Sequence, residues 1–188
     1  MTSALRIVPA GTDDVDRIVD LVQSAYRGEA SRAGWTTEAD LLDGSRVDRE
    51  LVHAAIGAPD TTVLLALDAG DPDVPLLGCC EVRAPGDGPA HAHFGMFAVS
   101  PQRQSRGVGS ALLAAAERFA STAGAAVLDL WVIDRRHELI AWYRRRGYTP
   151  TGRHHPFPYG DERFGIPRRT DLRFAVMSKP LVPGDTRC

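Results

Sequence analysis

Val99-Ser-Pro-Gln-Arg-Gln104-Ser-Arg-Gly107-Val-Gly109-Ser-Ala-Leu-Leu-Ala-Ala-Ala-Glu-Arg118 carries an apolar strand into an amphipathic helix through a turn rich in glycine and arginine. The first N–H groups of a helix have no acceptor within it, and the helix dipole adds partial positive charge at that end. An anion such as a phosphate therefore fits such a junction. Gly107 and Gly109 lack a Cβ and let a ligand oxygen approach the main chain, with Arg103, Gln104 and Arg106 on the flanks. Alone, a Gly-x-Gly pair signals only a tight turn, so its surroundings decide the reading.

Upstream, His91-Ala-His-Phe-Gly-Met-Phe-Ala-Val-Ser100 reads as a buried strand stopped by Pro101. Downstream, Val108, Ala111, Leu112, Ala115 and Phe119 recur at helical spacing on one apolar face. Beyond Gly124, Ala125-Ala-Val-Leu-Asp-Leu-Trp-Val-Ile133 is a second strand. Two other phosphate-loop readings fail. A Walker loop needs Gly-Lys-Ser/Thr, and the chain's only lysine is Lys179. A dinucleotide fingerprint needs a further glycine where this chain has Leu112.

The unit of strand, turn, helix and strand, with Gln104-x-x-Gly107-x-Gly109, resembles the acetyl-CoA-binding core of the GNAT acetyltransferases, whose fingerprint is Gln/Arg-x-x-Gly-x-Gly/Ala. Asp134-Arg-Arg-His-Glu-Leu-Ile-Ala-Trp-Tyr143-Arg-Arg-Arg-Gly147-Tyr148 is similar to that family's closing helix, Ala-x-x-x-Tyr-x-x-x-Gly-Phe/Tyr. The two motifs span His91 to Tyr148. Where the family often has Asn seven residues before the tyrosine, this chain has Arg136.

The resemblance implies acetyl-CoA as co-substrate and no metal. Phe97, Ala98 and Val99 would contact it from the strand, and Gln104, Ser105, Arg106, Gly107, Val108, Gly109 and Ser110 from the turn. Arg136 would reach a phosphate or pantetheine oxygen. It also implies an N-acetyltransferase acting on a primary amine of a small molecule or peptide by direct attack, with Tyr143 protonating the leaving thiolate. A homodimer would be ordinary for the family.

The remaining roles come from residue chemistry and from the same resemblance. A general base must free the amine's lone pair. His93, on the same strand face as His91, is the first candidate because imidazole titrates in the useful range, and Glu81 on the neighbouring strand is its rival. A developing oxyanion needs fixed donors, and the resemblance implies that they are backbone N–H groups at Phe97 and Val99, on the strand just before the turn. The resemblance implies that Tyr26, Trp35 and Glu38 are candidate walls of the acceptor mouth; the length of the later Pro/aromatic connection adds Phe157 and Tyr159, with Phe164 and Arg168, as candidate contacts. Arg144-Arg-Arg146 reads mostly as a solvent face complementing a helix C-terminus.

At 188 residues with 44% hydrophobic content, the chain suits a single domain, 1–188, with 183–188 as a loose tail. Formal net charge is -2, which gives no reason to expect nucleic acid or an anionic membrane as partner. No apolar run approaches a membrane span, and the opening residues lack a signal peptide's apolar stretch, so a cytoplasmic location is the expectation. Cys79 and Cys80 are adjacent in a strand and point to opposite faces, which argues for small buried side chains rather than a metal pair or an acyl-cysteine nucleophile.

The pattern of elements predicts an opening strand at Leu5–Val8, a helix from about Thr12, a second helix between Asp40 and Ile56, and a hairpin over Thr61–Leu67 and Leu76–Arg83. A final strand follows at Asp171–Lys179. The expected fold is a mixed α/β sheet, mostly antiparallel with one parallel pair, with helices on both faces. Two other functional classes compete with the transferase. One is a non-catalytic acyl-CoA-binding or sensing module. The other is a metal enzyme built on His91-x-His93 with His154 and His155, which lacks a carboxylate or cysteine at ligand spacing.

Overall fold

The computed structural model describes residues 5–70, 75–85 and 90–182; the expected loose tail, with Cys188, lies outside the described residues. Strand β1 (Leu5–Pro9) leads through a 3-10 turn (Thr12–Asp14) into α1 (Val15–Tyr26). α2 (Gly28–Ser31), β2 (Leu42–Asp43), α3 (Arg49–Gly57), β3 (Thr61–Asp68), β4 (Gly78–Arg83) and β5 (His91–Val99) follow. The turn then opens α4 (Val108–Thr122), succeeded by β6 (Val127–Ile133), α5 (His137–Arg144), β7 (Thr149–Pro156), β8 (Ile166–Pro167) and β9 (Arg173–Pro180). Seven strands form one sheet in the order β1-β3-β4-β5-β6-β9-β7. Among the described strands only β5 and β6 run parallel, because α4 carries the chain back to the same end of the sheet before β6 begins.

The helix expected between Asp40 and Ile56 is shorter than its apolar pattern suggested. Leu42, 2% exposed, pairs across to Pro167 in a separate two-stranded ribbon, and the Asp48 carboxylate accepts from Leu51 N–H at 2.8 Å to start α3. The first helix also begins later, since Thr12–Asp14 form the 3-10 turn that precedes it.

The sheet separates two cores. Leu64, Cys80, Val82, Ala92, Phe94, Leu128 and Leu130 face α4, whose Val108, Leu112, Leu113 and Ala116 complete that layer. Val63, Leu65 and Cys79 face α1 through Ile18, Leu21, Val22 and Ala25. Strand parity should keep alternate residues of β5 on one face. Instead, Ala92 and Phe94 join the α4 core, whereas Met96 and Ala98 join the α1 core. Met96 at φ 41, with a register shift between Cys79 and Glu81 on β4, reverses the alternation. This bulge aims His91, His93 and Gly95 to the α1 side but turns Phe97 and Val99 toward α4.

Gly78 lets α4 approach the sheet closely. A Cβ there would lie 2.8 Å from Leu112 Cδ1 and 3.0 Å from the Ala98 carbonyl oxygen. Gly78→Ala should therefore cost about 1–3 kcal/mol in urea denaturation, because the backbone it meets cannot yield. Gly57→Ala, with nothing within 4 Å of the added carbon, should be neutral or gain up to about 1 kcal/mol.

Candidate active site

Parallel pairing of β5 and β6 is confined to His91–Phe94 against Val127–Leu130. Farther on, β5 follows β4 to the Gly78–Val99 pair, while β6 follows β9 to the Ile133–Phe174 pair. The two strands part, and the facing edge of β5 loses its neighbour. Side chains occupy its carbonyls instead: Tyr26 Oη donates to the Phe97 oxygen, and Gln104 Nε2 donates to the Val99 oxygen at 3.2 Å. Because a strand residue's N–H and C=O lie on the same edge, the Phe97 and Val99 amides border the same gap.

On one side of the gap lies a cleft of about 480 Å³ over the start of α4, lined by Gly107, Gly109, Ser110, Trp142 and Arg146 among others. Gly107, at φ 84, serves as the helix N-cap, and nothing stands within 4 Å of where its Cβ would be. The first turn of α4 carries no acidic residue, so its amides and dipole remain available to an anion. Arg146 donates to Ser110 Oγ at 2.7 Å, and its guanidinium lies 3.6 Å over the Trp142 ring. The residues present thus suit a phosphate-bearing ligand with an apolar arm.

On the other side lies a cavity of about 790 Å³. Phe97 lines both spaces, and α5 runs between them, with Tyr143 and Leu139 facing the cavity and Trp142 and Glu138 the cleft. The Tyr143 phenol is raised well above its ordinary value by burial and by neighbouring Tyr26, and burial pushes Tyr26 up to about 12. Both hydroxyls stay protonated near neutrality. Burial, reinforced by Arg83, pulls His93 down to about 4, so its imidazole is neutral and a weak base. Burial raises the Glu81 carboxyl against the pull of Arg83, whose Nη2 lies 3.3 Å away.

At the α1 end of the cavity, the Glu38 carboxylate is shared by Arg27 at 2.6 Å, Arg136 at 3.2 Å and Arg46 at 3.7 Å. Burial opposes its ionisation, but the three guanidiniums outweigh that cost and hold it below the usual carboxylate range. Arg136 also donates to the Thr36 carbonyl at 2.7 Å, which fixes the chain ahead of Glu38.

Several sequence expectations meet different surroundings. Arg136 points away from the cleft, because Glu38 and the Thr36 carbonyl hold it on the cavity side. Gln104 is absorbed in structure, donating to Thr36 Oγ1 at 2.7 Å and accepting from Trp35 N–H at 2.8 Å. Trp35 consequently lines the cleft and not the cavity, 6.5 Å from Trp142 between ring centres.

Phe157 and Tyr159 do not line the cavity. Phe157 packs in a small core with Leu42, Ile133 and Leu172, and Tyr159 Oη accepts from Leu172 N–H at 2.7 Å. His155, Phe164 and Phe174 line it from that region instead. Arg144 and Arg145 are exposed, as expected of a mostly solvent-facing run, while Arg145 and Arg146 also line the cleft.

His91 meets the Asp129 carboxylate at 2.9 Å, and no group of three or more His, Cys, Asp or Glu able to hold a metal occurs among the described residues. Cys79 and Cys80 are fully buried, with burial pushing Cys79 up to about 12, so neither presents a thiolate. Trp131 carried no sequence signal, since its ring partners His93, His155 and Phe174 come from other strands, and Arg46 none, since it meets Glu38 and Tyr26 outside its own element; Trp142 falls within the closing-helix motif but had no role assigned to it.

The profile of the acetyltransferase (GNAT) family matches residues 16–148. No curated protein matches the chain in sequence. The fold is similar to nourseothricin acetyltransferase, with a TM-score of 0.67 at 22% identity, covering 96% of this chain and 100% of that one. It is also similar to the ribosomal-protein-S18-alanine N-acetyltransferase from Escherichia coli (TM-score 0.67, 17% identity, 98% and 99% covered). A third similar structure is yncA from Salmonella typhimurium with its cofactor acetyl-CoA (TM-score 0.68, 18% identity, 99% of both chains). At these identities the likeness is one of fold. No helix among the described residues is long and apolar enough to cross a membrane.

Glu38→Gln should cost about 3–5 kcal/mol, because it leaves buried guanidiniums without a counter-charge. The folded-state pKa of Glu38 is depressed, so its contribution is complete above the ordinary value of 4.5 and fades as pH falls through the lower folded value. The gap between wild type and variant in urea denaturation should accordingly be widest above that pH and narrow below it.

Proposed function

The chain belongs to the acetyltransferase (GNAT) family, and we propose that it acetylates the primary amine of a small molecule with acetyl-CoA as donor. The observation carrying this reading is that the α4 cleft and the cavity lie on either side of Phe97, which lines both. A cavity of about 790 Å³ falls within the size range of small-molecule sites, which favours such an acceptor over a long peptide. We place the activity in the cytoplasm, where acetyl-CoA is available, and infer no metal requirement.

Acetyl-CoA, when bound, supplies an acetyl group activated as a thioester. The amides of Val108, Gly109 and Ser110 at the α4 start would hold its phosphates, with Ser105, Arg106 and Arg146 around them, and Trp142 would carry the apolar arm. Phe97 and Val99 N–H groups, on the unpaired edge of β5, stabilise negative charge that develops on the acetyl oxygen during attack. Glu81 accepts the amine's proton. Its raised pKa brings it nearer the operating pH than a free carboxylate, whereas His93 at about 4 is a poorer proton acceptor. Tyr143, protonated throughout this range, gives its proton to the departing sulfur.

Thermal-shift titration with acetyl-CoA, followed by thiol release with an amine library, tests the reading. Saturation at about 100 times the dissociation constant should stabilise the fold by about 2.7 kcal/mol. A shift with no thiol release for any amine would favour an acyl-CoA sensor instead, and absence of a shift would remove the α4 cleft from the argument.

Tyr143→Phe should lower kcat about 100-fold or more with acetyl-CoA affinity intact. Since the base must be deprotonated, kcat/KM rises with pH through its pKa. That acidic limb should disappear in Glu81→Gln and persist in His93→Gln; the reverse pattern would assign the proton to His93.

A further inference from the structure

The cavity is unevenly charged. Its wall carries four arginines (Arg46, Arg83, Arg136 and Arg153) and three carboxylates (Glu38, Glu81 and Asp129). At the β-strand end the charges pair off. Glu81 lies 3.3 Å from Arg83, and Asp129 accepts from His91 and Ser178 with Arg153 at 3.6 Å. At the α1 end they do not, because Arg27, Arg46 and Arg136 all draw on Glu38, and the one further carboxylate that Arg27 feels, Asp43, is itself paired with Arg168.

Arg27, 4% exposed, keeps Nε and Nη2 without hydrogen-bond partners, so the cluster is under-compensated from behind as well. Arg46 is its solvent-side member. The Arg46 side chain is 30% exposed, and its Nε stands too far from Glu38, at 3.7 Å, for a hydrogen bond. Removing positive charge from water without enough counter-charge is costly, and an incoming anion offsets the cost.

The position of this excess specifies the ligand. The Arg46 and Arg136 guanidinium carbons lie 5.6 and 5.7 Å from the centre of the Tyr26 ring, whose hydroxyl binds the Phe97 carbonyl. An anion at these arginines is therefore one tyrosine ring away from the gap where the amine must react. None of the three wall carboxylates lacks a guanidinium neighbour, so a polycation finds no free counter-charge. Across the cavity, Trp131 and His155 rings lie 4.1 Å apart between centres, with Phe174 beside them, and form an apolar wall.

Resting on the transferase reading above, we propose that the acceptor is a small amine bearing an oxyanion, a carboxylate or phosphonate, a few bonds from the reacting nitrogen. The oxyanion lies on Arg46 with Arg136 behind it, and an apolar side group lies against Trp131. Amino acids with apolar side chains have this form.

The test compares kcat/KM, by thiol release with acetyl-CoA, for three matched compounds: L-phenylalanine, its primary amide, and phenethylamine. The phosphonate analogue distinguishes the two oxyanions. The acid should exceed the amide at least tenfold. Arg46→Gln should reduce that ratio toward one through KM, Arg46→Lys should restore part of it, and Arg153→Gln should leave the ratio in place.

A second readout needs no turnover. With coenzyme A present, N-acetyl-L-phenylalanine should raise Tm and its amide should not. Equal or better use of the amide or phenethylamine, an acid preference that survives Arg46→Gln, or no difference in Tm between the two N-acetyl compounds overturns the inference. Those results leave the transferase reading intact so long as acetyl-CoA stabilises the protein; loss of that stabilisation removes the transferase reading itself.

Discussion

Everything at the site depends on where β5 and β6 stop pairing. A parallel pair needs a crossover, and α4 is that crossover, so its N-terminus is delivered beside the end of β5. Once the strands diverge after Phe94 and Leu130, the edge of β5 has backbone groups to satisfy and no strand to satisfy them. Tyr26 and Gln104 take two carbonyls, and the amides beside them border open space. The gap, the placement of the α4 N-terminus beside it and the strand edge facing it are consequences of one interrupted ladder.

The bulge at Met96 acts on the same strand in a second way. Without it, Phe97 would fall on the α1 face with His91, His93 and Gly95, and could not line the cleft over α4. Phe97, which lines both the cleft and the cavity, therefore owes its position to one backbone conformation of positive φ, held by packing of Met96 and Ala98 against α1.

The Glu38 cluster ties the acceptor side to the rest. Arg27 follows α1, Glu38 and Arg46 flank β2, and Arg136 precedes α5, so one carboxylate joins segments nearly a hundred residues apart. Such a network is sensitive to loss of any member, because the remaining charges are buried. It also leaves the cavity electropositive at one end.

Local signals were enough for much of this protein. The Gln104-x-x-Gly107-x-Gly109 turn, the apolar face of α4 and the two flanking strand runs specify a strand, crossover helix and parallel strand, since turn chemistry and periodicity act over a few residues. The mixed sheet, the opposite burial of Cys79 and Cys80, and the place of Tyr143 on the inner face of α5 follow from the same short-range rules.

The acceptor side was not legible in that way. Arg136 was aimed at the cofactor until Glu38 and Thr36, far earlier in the chain, claimed it. Phe157 became core because Leu42 left the expected helix to form a ribbon with Pro167. His93 lost its basicity to burial beside Trp131, and the register of β4 against β5 decided that Glu81 faces the same cavity. Sequence spacing determines which residues share a face of one element, but the partners and solvation that set a side chain's direction and pKa come from elements distant in the chain.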